Sequence, residues 1–171
     1  MERGAAIGEG TYIWANAHIR ADARIGSECV IGDGAYVDTK VTIGARCKIQ
    51  NAVQLFHGVE LADGVFVGPA ATFTNDLSPR AVNPDGTLRS GDDWIVSRTI
   101  IRHGAAIGAN ATIVSGITVG EWAMIGAGAV VTRDVAAHSL VVGTPARHIG
   151  WVCSCGRRLA NQPDDNCSCG S

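Results

Sequence analysis

The chain has 171 residues, 46% of them apolar but only 5% aromatic, with 22 glycines and a formal charge of −2. That length supports one domain with a substantial core. The small net charge removes the electrostatic case for nucleic acid or an anionic membrane as partner, and a core of Ile, Val and Ala broken by Gly argues against a helical bundle.

The N-terminal ten residues hold no apolar signal region, and no window approaches a membrane span; the expected location is cytoplasmic. From Ile7 a large apolar residue recurs at every sixth position, through Ile31, Val37 and Leu55 to Phe73. A second run of the same period goes from Ile95 to Val131. All nineteen positions of the two runs are large and apolar, where chance with this composition gives roughly one in three. The fourth residue after each, such as Ala17, Cys29, Val53 or Ala105, is uncharged and mostly small. A helix of period 3.6 cannot produce this, and hairpins need their own turn signals. The spacing predicts short strands joined by tight corners, three to a coil of 18 residues, with six coils stacked in parallel. At about 4.8 Å per coil the prism is roughly 29 Å tall.

Sequence separation then measures height: residues 18 apart stand one above the other. Cys29 and Cys47 are such a pair at inward positions, which predicts buried, inert thiols. His57 and Asn75 are another, each two places after an inward residue, Leu55 or Phe73, and therefore outward on one face. A solvated histidine on an exposed strand is the plain alternative for His57. His103, 46 residues beyond His57, fits no coil multiple, and His18, His138 and His148 read as surface or terminal residues.

The repeat stops at Thr74 and resumes, on the pattern, at Ile95. One polar loop of about 74–94 in an otherwise unbroken repeat is the place to expect function. Within it, Asn83-Pro84-Asp85-Gly86 predicts a turn, because Pro presets φ, Asp caps and Gly takes a positive φ. After Val131 the repeat decays, Pro145 ends the ladder, and the segment that follows covers the last open coil. The expected division is a β-helix domain over 1–150 and a cysteine-rich tail over 151–171. Cys153, Cys155, Cys167 and Cys169 form two close pairs, able to hold zinc through four thiolates. Each pair is separated by one residue where a ribbon knuckle has two, so disulfides or a reduced, unliganded tail stay open.

The repeat Leu/Ile/Val-Gly-x-x-Ser/Thr/Ala/Val-x over 7–73 and 95–136 resembles the hexapeptide-repeat acyltransferases, which implies a left-handed parallel β-helix; the spacing itself does not set the hand. The run FTNDLSPRA and the closing IGWV are similar to nucleotide-sugar N-acetyltransferases. That resemblance implies amide formation: a sugar amine, of the 3-amino-2,3-dideoxyhexuronate type used for surface polysaccharide, attacks the thioester of acetyl-CoA. It implies a homotrimer with the acyl site between chains. Asn75 would hold the amine, and His57 would accept a proton directly or through water. Arg80 would meet a carboxylate or phosphate of the sugar nucleotide, and Gln50 and Asn51 would read sugar hydroxyls. Gly104, Ala105 and Ala123 would let pantetheine approach the backbone, and Arg147 would meet a CoA phosphate. Two departures stand out: His57 occupies a place where several relatives carry an acid, and the loop text NPDGTLRSGDDW does not match the family residue by residue, which leaves the sugar open. The alternatives are O-acetylation of serine or a sugar hydroxyl, and a β-helix scaffold without catalysis.

Overall fold

In the computed structural model, which describes residues 1–161, the chain winds into a three-faced parallel β-helix of short strands, β1 (Ala6–Ile7) to β21 (Arg158–Leu159) in chain order. Face 1 stacks six strands and face 3 another six; face 2 stacks seven in parallel and then two antiparallel strands. Ile7 pairs with Ile25 and Ile31 with Ile49, so the 18-residue coil holds. The inward residues of both hexad positions form one continuous core from Ile19 to Val141. Ile13 at the bottom is 40% exposed, because no coil lies beneath it.

The corners explain the rest of the hexad. The residue after the large inward one is often Gly because the next coil lies against it: a Cβ on Gly108 would sit 2.5 Å from the Ala127 nitrogen. Where one coil runs on into the next, the backbone turns through positive φ three places after the large inward residue, as at Asn16, Asp22, Arg46, Gly64 and Asn110. Small inward side chains also close the corners. Thr11 Oγ1 donates to the Gly26 carbonyl (2.8 Å) and accepts the Cys29 N–H (3.0 Å). One coil up, Cys29 Sγ does the same with the Gly44 carbonyl (3.1 Å) and the Cys47 N–H (3.4 Å). The two thiols are thus buried ladder elements, and contact with Cys29 together with burial pushes the Cys47 thiol up.

The insertion is longer than the pattern suggests. β12 (Thr72–Phe73) ends on face 3, and β13 (Thr99–Ile101) resumes on face 1. Ile95 keeps the hexad phase but is 89% exposed; the chain rejoins the prism only at Thr99. Across the insertion Phe73 pairs with Ile113 and Leu61 with Ile101, a step of 40 residues where a plain coil takes 18. The height ruler therefore fails for any pair spanning the loop; His103, which follows Ile101 on face 1, stands in the column of Asp63, one corner on from His57.

The C-terminal cap also differs from the expected division. β20 (Arg147–Val152) is one strand paired to β19 (Ser139–Val142), so a boundary at 150/151 cuts through it. Val152 and Cys153 are buried, and the Val152 N–H donates to the His138 carbonyl (2.8 Å).

Candidate functional site

The site is built at the corner where face 3 turns into face 1. Leu55, Phe73 and Ile113 stack on face 3, and two residues beyond each lie His57, Asn75 and Ser115. His57 is half-buried, and its N–H donates to Asp38 Oδ2 (3.2 Å). Asp38, 8% exposed, also accepts from Arg20 (3.3 Å), the Tyr36 hydroxyl (3.1 Å) and the Thr39 N–H (2.7 Å). Tyr36 packs on Phe56 beside it, ring centroids 5.6 Å apart. The backbone carrying His57 is thus fixed from the coil below. Arg20 in turn reaches Glu2, whose carboxyl is held below its usual range by the Ala21 N–H first and by His18 next.

Asn75 is the first residue off the ladder: the Thr74 N–H still donates to the Ile113 carbonyl (2.9 Å). At regular corners the positive-φ residue donates its N–H to the carbonyl one coil below, as Gly64 does to Ala45 (2.9 Å). Here Gly116 donates instead to Thr99 Oγ1 (3.1 Å), so the Asn75 carbonyl is released from that duty. The returning limb presses on the corner beside His57. A Cβ on Gly58 would lie 2.7 Å from Val96 Cγ1 and 2.9 Å from the Ser97 carbonyl oxygen, and its φ is +96°.

The loop is internally bonded. Val82 and Leu88 bridge antiparallel around the Asn83–Gly86 turn, with the Gly86 N–H on the Asn83 carbonyl (2.9 Å) and φ +86° at Gly86. Thr87, through its hydroxyl and then its N–H, holds the Asp85 carboxyl below its usual range. The Arg89 guanidinium donates to the carbonyls of Ser78 and Asp93. Arg98 closes the loop on face 1 with a two-pronged pair to Glu60, both contacts 2.7 Å, which lowers the Glu60 pKa.

Among the other expected residues, Arg80 is exposed, donates to the Pro79 carbonyl (2.7 Å), and has no carboxylate partner among the described residues. Gln50 and Asn51 follow Ile49 at the corner between faces 2 and 3, one edge away from His57; Asn51 Oδ1 accepts the Asp33 N–H (3.2 Å) and so serves its own corner. The small residues expected along the pantetheine lie on the core or against an aromatic ring. Ala105 and Ala123 point into the core, and their carbonyls accept the N–H groups of Phe66 and Ala106. Gly104 lies under Trp122, whose ring would be 2.3 Å from an added Cβ. Arg147 does face a cleft of about 460 Å³ at the capped end, with Arg133, His148 and Trp151. Cys153 is buried and disulfide-bonded, and Cys155 lies at the surface; Cys167 and Cys169 lie outside the described residues. Among the described residues no three potential ligands converge on a metal position, and no helix is long and apolar enough to cross a membrane.

Asp38 and Ser115 escaped the sequence reading. Asp38 lies 19 residues before His57, within reach of the 18-residue ruler. Ser115 lies beyond the insertion, where that ruler fails.

The chain matches the bacterial transferase hexapeptide family over 4–39 and 98–133 and the hexapeptide repeat of succinyl-transferase over 22–57. It is 55% identical over 62 residues to a dTDP-3-amino-3,6-dideoxy-alpha-D-galactopyranose 3-N-acetyltransferase of Aneurinibacillus thermoaerophilus, covering 36% of this chain and 32% of that one. It is 37% identical over 118 residues to the serine acetyltransferase of Escherichia coli strain K12, covering 67% of this chain and 42% of that one. The chain thus spans well under half the length of these relatives. In fold it resembles AntD, an N-acyltransferase from Bacillus cereus solved with dTDP and coenzyme A. The TM-score is 0.74 at 21% identity, over 87% of this chain and 84% of that one.

Proposed function

The chain belongs to the bacterial hexapeptide-repeat transferases, and from that premise we propose that it is an acetyl-CoA-dependent N-acetyltransferase acting on the amino group of a nucleotide-linked amino sugar. The observation that carries this is the 55% identity to an amino-sugar N-acetyltransferase, on a chain whose repeat breaks once, beside Asn75. The substrate class is a 3-amino sugar; the resemblance to UDP-2-acetamido-3-amino-2,3-dideoxyglucuronate N-acetyltransferase favours a hexuronate, for which the unpaired Arg80 supplies a fork.

Asn75 orients the amine through its side-chain carbonyl, leaving the nitrogen lone pair aimed at the thioester carbon. Attack forms the C–N bond, and collapse breaks the C–S bond. The amine proton leaves to the thiolate or to His57, whose backbone is pinned by Asp38. At the capped end, Arg133, Arg147 and Trp151 offer cations and an aromatic face to a nucleotide bearing phosphates. A homotrimer and a cytoplasmic location accompany this reading, the second because acetyl-CoA is the donor.

O-acetylation is the second reading, favoured by the 37% identity to a serine acetyltransferase. The test is mass analysis of products from acetyl-CoA with a panel of UDP- and dTDP-linked amino sugars and with serine. An N-acetylated sugar nucleotide is expected. O-acetylserine alone would install the second reading. No product, with no shift in melting by acetyl-CoA, would mark a scaffold.

A further inference from the structure

Among the described residues, one buried side-chain polar atom makes no hydrogen bond: the hydroxyl of Ser115, on a residue 4% exposed. The hydroxyl at the same position lower on this edge finds a carbonyl: Thr39 Oγ1, two residues after Val37, donates to Ala21 (2.9 Å). An unmade bond of this sort costs about 1–3 kcal/mol, so a hydroxyl left over at a working corner calls for an explanation.

Its position supplies one. Ser115 is two residues past Ile113, which stands on Phe73, so it lies in register with Asn75 and one coil above it. The Ser115 N–H is held by the outgoing limb of the loop, at Thr74 Oγ1 (3.0 Å). The returning limb lies alongside, with Ser97 Cβ 3.4 Å from where a Cβ on Gly116 would be. The orphan hydroxyl therefore sits at the base of the insertion, between its two limbs.

Resting on the acyl-transfer reading above, we infer that Ser115 is a further catalytic residue, whose hydroxyl donates a hydrogen bond to the thioester carbonyl oxygen of the acyl donor. Asn75 presents an acceptor to the amine. Ser115 presents a donor about 4.8 Å higher, one coil of rise. Two hydrogen bonds of about 2.7–2.9 Å reaching the two ends of the forming N–C–O unit fit that separation. As the amine nitrogen bonds the carbonyl carbon, the C=O electron pair moves onto oxygen, where the Ser115 O–H meets it. When the pair returns, the C–S bond breaks, the thiolate departs, and the amine proton goes to the thiolate or to His57. Ser115 keeps its proton throughout. It is not a nucleophile, because no base is bonded to its oxygen to activate it.

The test is Ser115→Ala, assayed with acetyl-CoA and the best acceptor from the sugar panel. A lost oxyanion donor should lower kcat by about 10²-fold, with KM for both substrates unchanged. The melting temperature should hold or rise, since an orphan polar atom has gone. Ser115→Cys, a weaker donor of similar shape, should fall between the two. A Ser115→Ala enzyme within about twofold of wild-type kcat overturns the inference, and so does a loss of kcat that comes with a lower melting temperature, which marks a structural role. A wild-type chain that acetylates no amino sugar brings down the functional reading itself; an active wild type beside an equally active Ser115→Ala enzyme sinks this inference alone.

Discussion

Thr74 and Thr99, on either side of the insertion, accept hydrogen bonds from consecutive backbone groups, the N–H of Ser115 (3.0 Å) and the N–H of Gly116 (3.1 Å). A single corner thus clamps both ends of the loop. The ladder needs this substitute because the chain that would form the corner below has left the prism at Asn75. Thr74→Val or Thr99→Val removes the acceptor and leaves a corner N–H unmet, which should cost about 1–3 kcal/mol. The double variant should cost less than the sum, since both act on one corner. Chemical denaturation measures all three; additive losses would show that the two bonds are independent.

Gly58 makes a related prediction. Its φ of +96° and the Ser97 carbonyl, 2.9 Å from an added Cβ, leave no room for a side chain. Gly58→Ala should destabilise by about 2 kcal/mol or more and push the returning limb away from His57. Gly34, also at positive φ but with nothing within 4 Å of an added Cβ, is the control: Gly34→Ala should cost only the backbone strain, about 1 kcal/mol. Equal losses at the two positions would dismiss the contact with the loop.

The solenoid was legible in the sequence because burial repeats every six residues and each coil meets only copies of itself. The Asn83–Gly86 turn was legible for the same local reason. The loop end was not: Ile95 keeps the hexad phase by coincidence, and nothing nearby in sequence distinguishes it from a core residue, whereas the pairing of Val59 with Thr99 is a contact across forty positions. Ala105 and Ala123 turn inward as the hexad pattern predicts. At Gly104 only the packing of Trp122 reveals what the missing side chain makes room for. Ser115 could not be found by phase, because its column is interrupted by the insertion.

Assembly can be tested on face 2, where Phe66, Ala106 and Met124 line an apolar cleft of about 520 Å³ and Phe66 remains 39% exposed. Sedimentation should give a trimer, and Phe66→Glu, which sets a charge in that cleft, should lower its mass toward the monomer. A fully active, well-folded monomer would refute the arrangement.

The tail makes a redox-dependent prediction. Cys153 is disulfide-bonded, and a thiolate that ligates zinc must be both reduced and deprotonated. Protein purified under reducing conditions without chelator should carry about one zinc per chain, lost on oxidation or in the Cys153→Ser, Cys155→Ser double variant. Absence of metal in the reduced protein would leave the disulfide as the whole role of the cluster.

Asn75 carries an expected effect on rate as large as that of Ser115. Its backbone is set by Thr74, still on the ladder through the Ile113 carbonyl, while Thr99 replaces it at the Gly116 corner. A residue anchored on one side and released on the other can turn its amide to a ligand without dismantling the prism. Asn75→Ala removes a contact worth most when the amine is aimed for attack. It should lower kcat/KM by about 10²-fold, about 2.7 kcal/mol in barrier, with melting and the shift induced by CoA unchanged. His57→Ala should cost as much if His57 takes the proton, and less if the departing thiolate does. The pH profile separates these cases: a working base gives the rate an ascending limb that disappears in His57→Ala. Near-normal kcat/KM for Asn75→Ala on its own amino sugar would move the acceptor site away from the corner between faces 3 and 1.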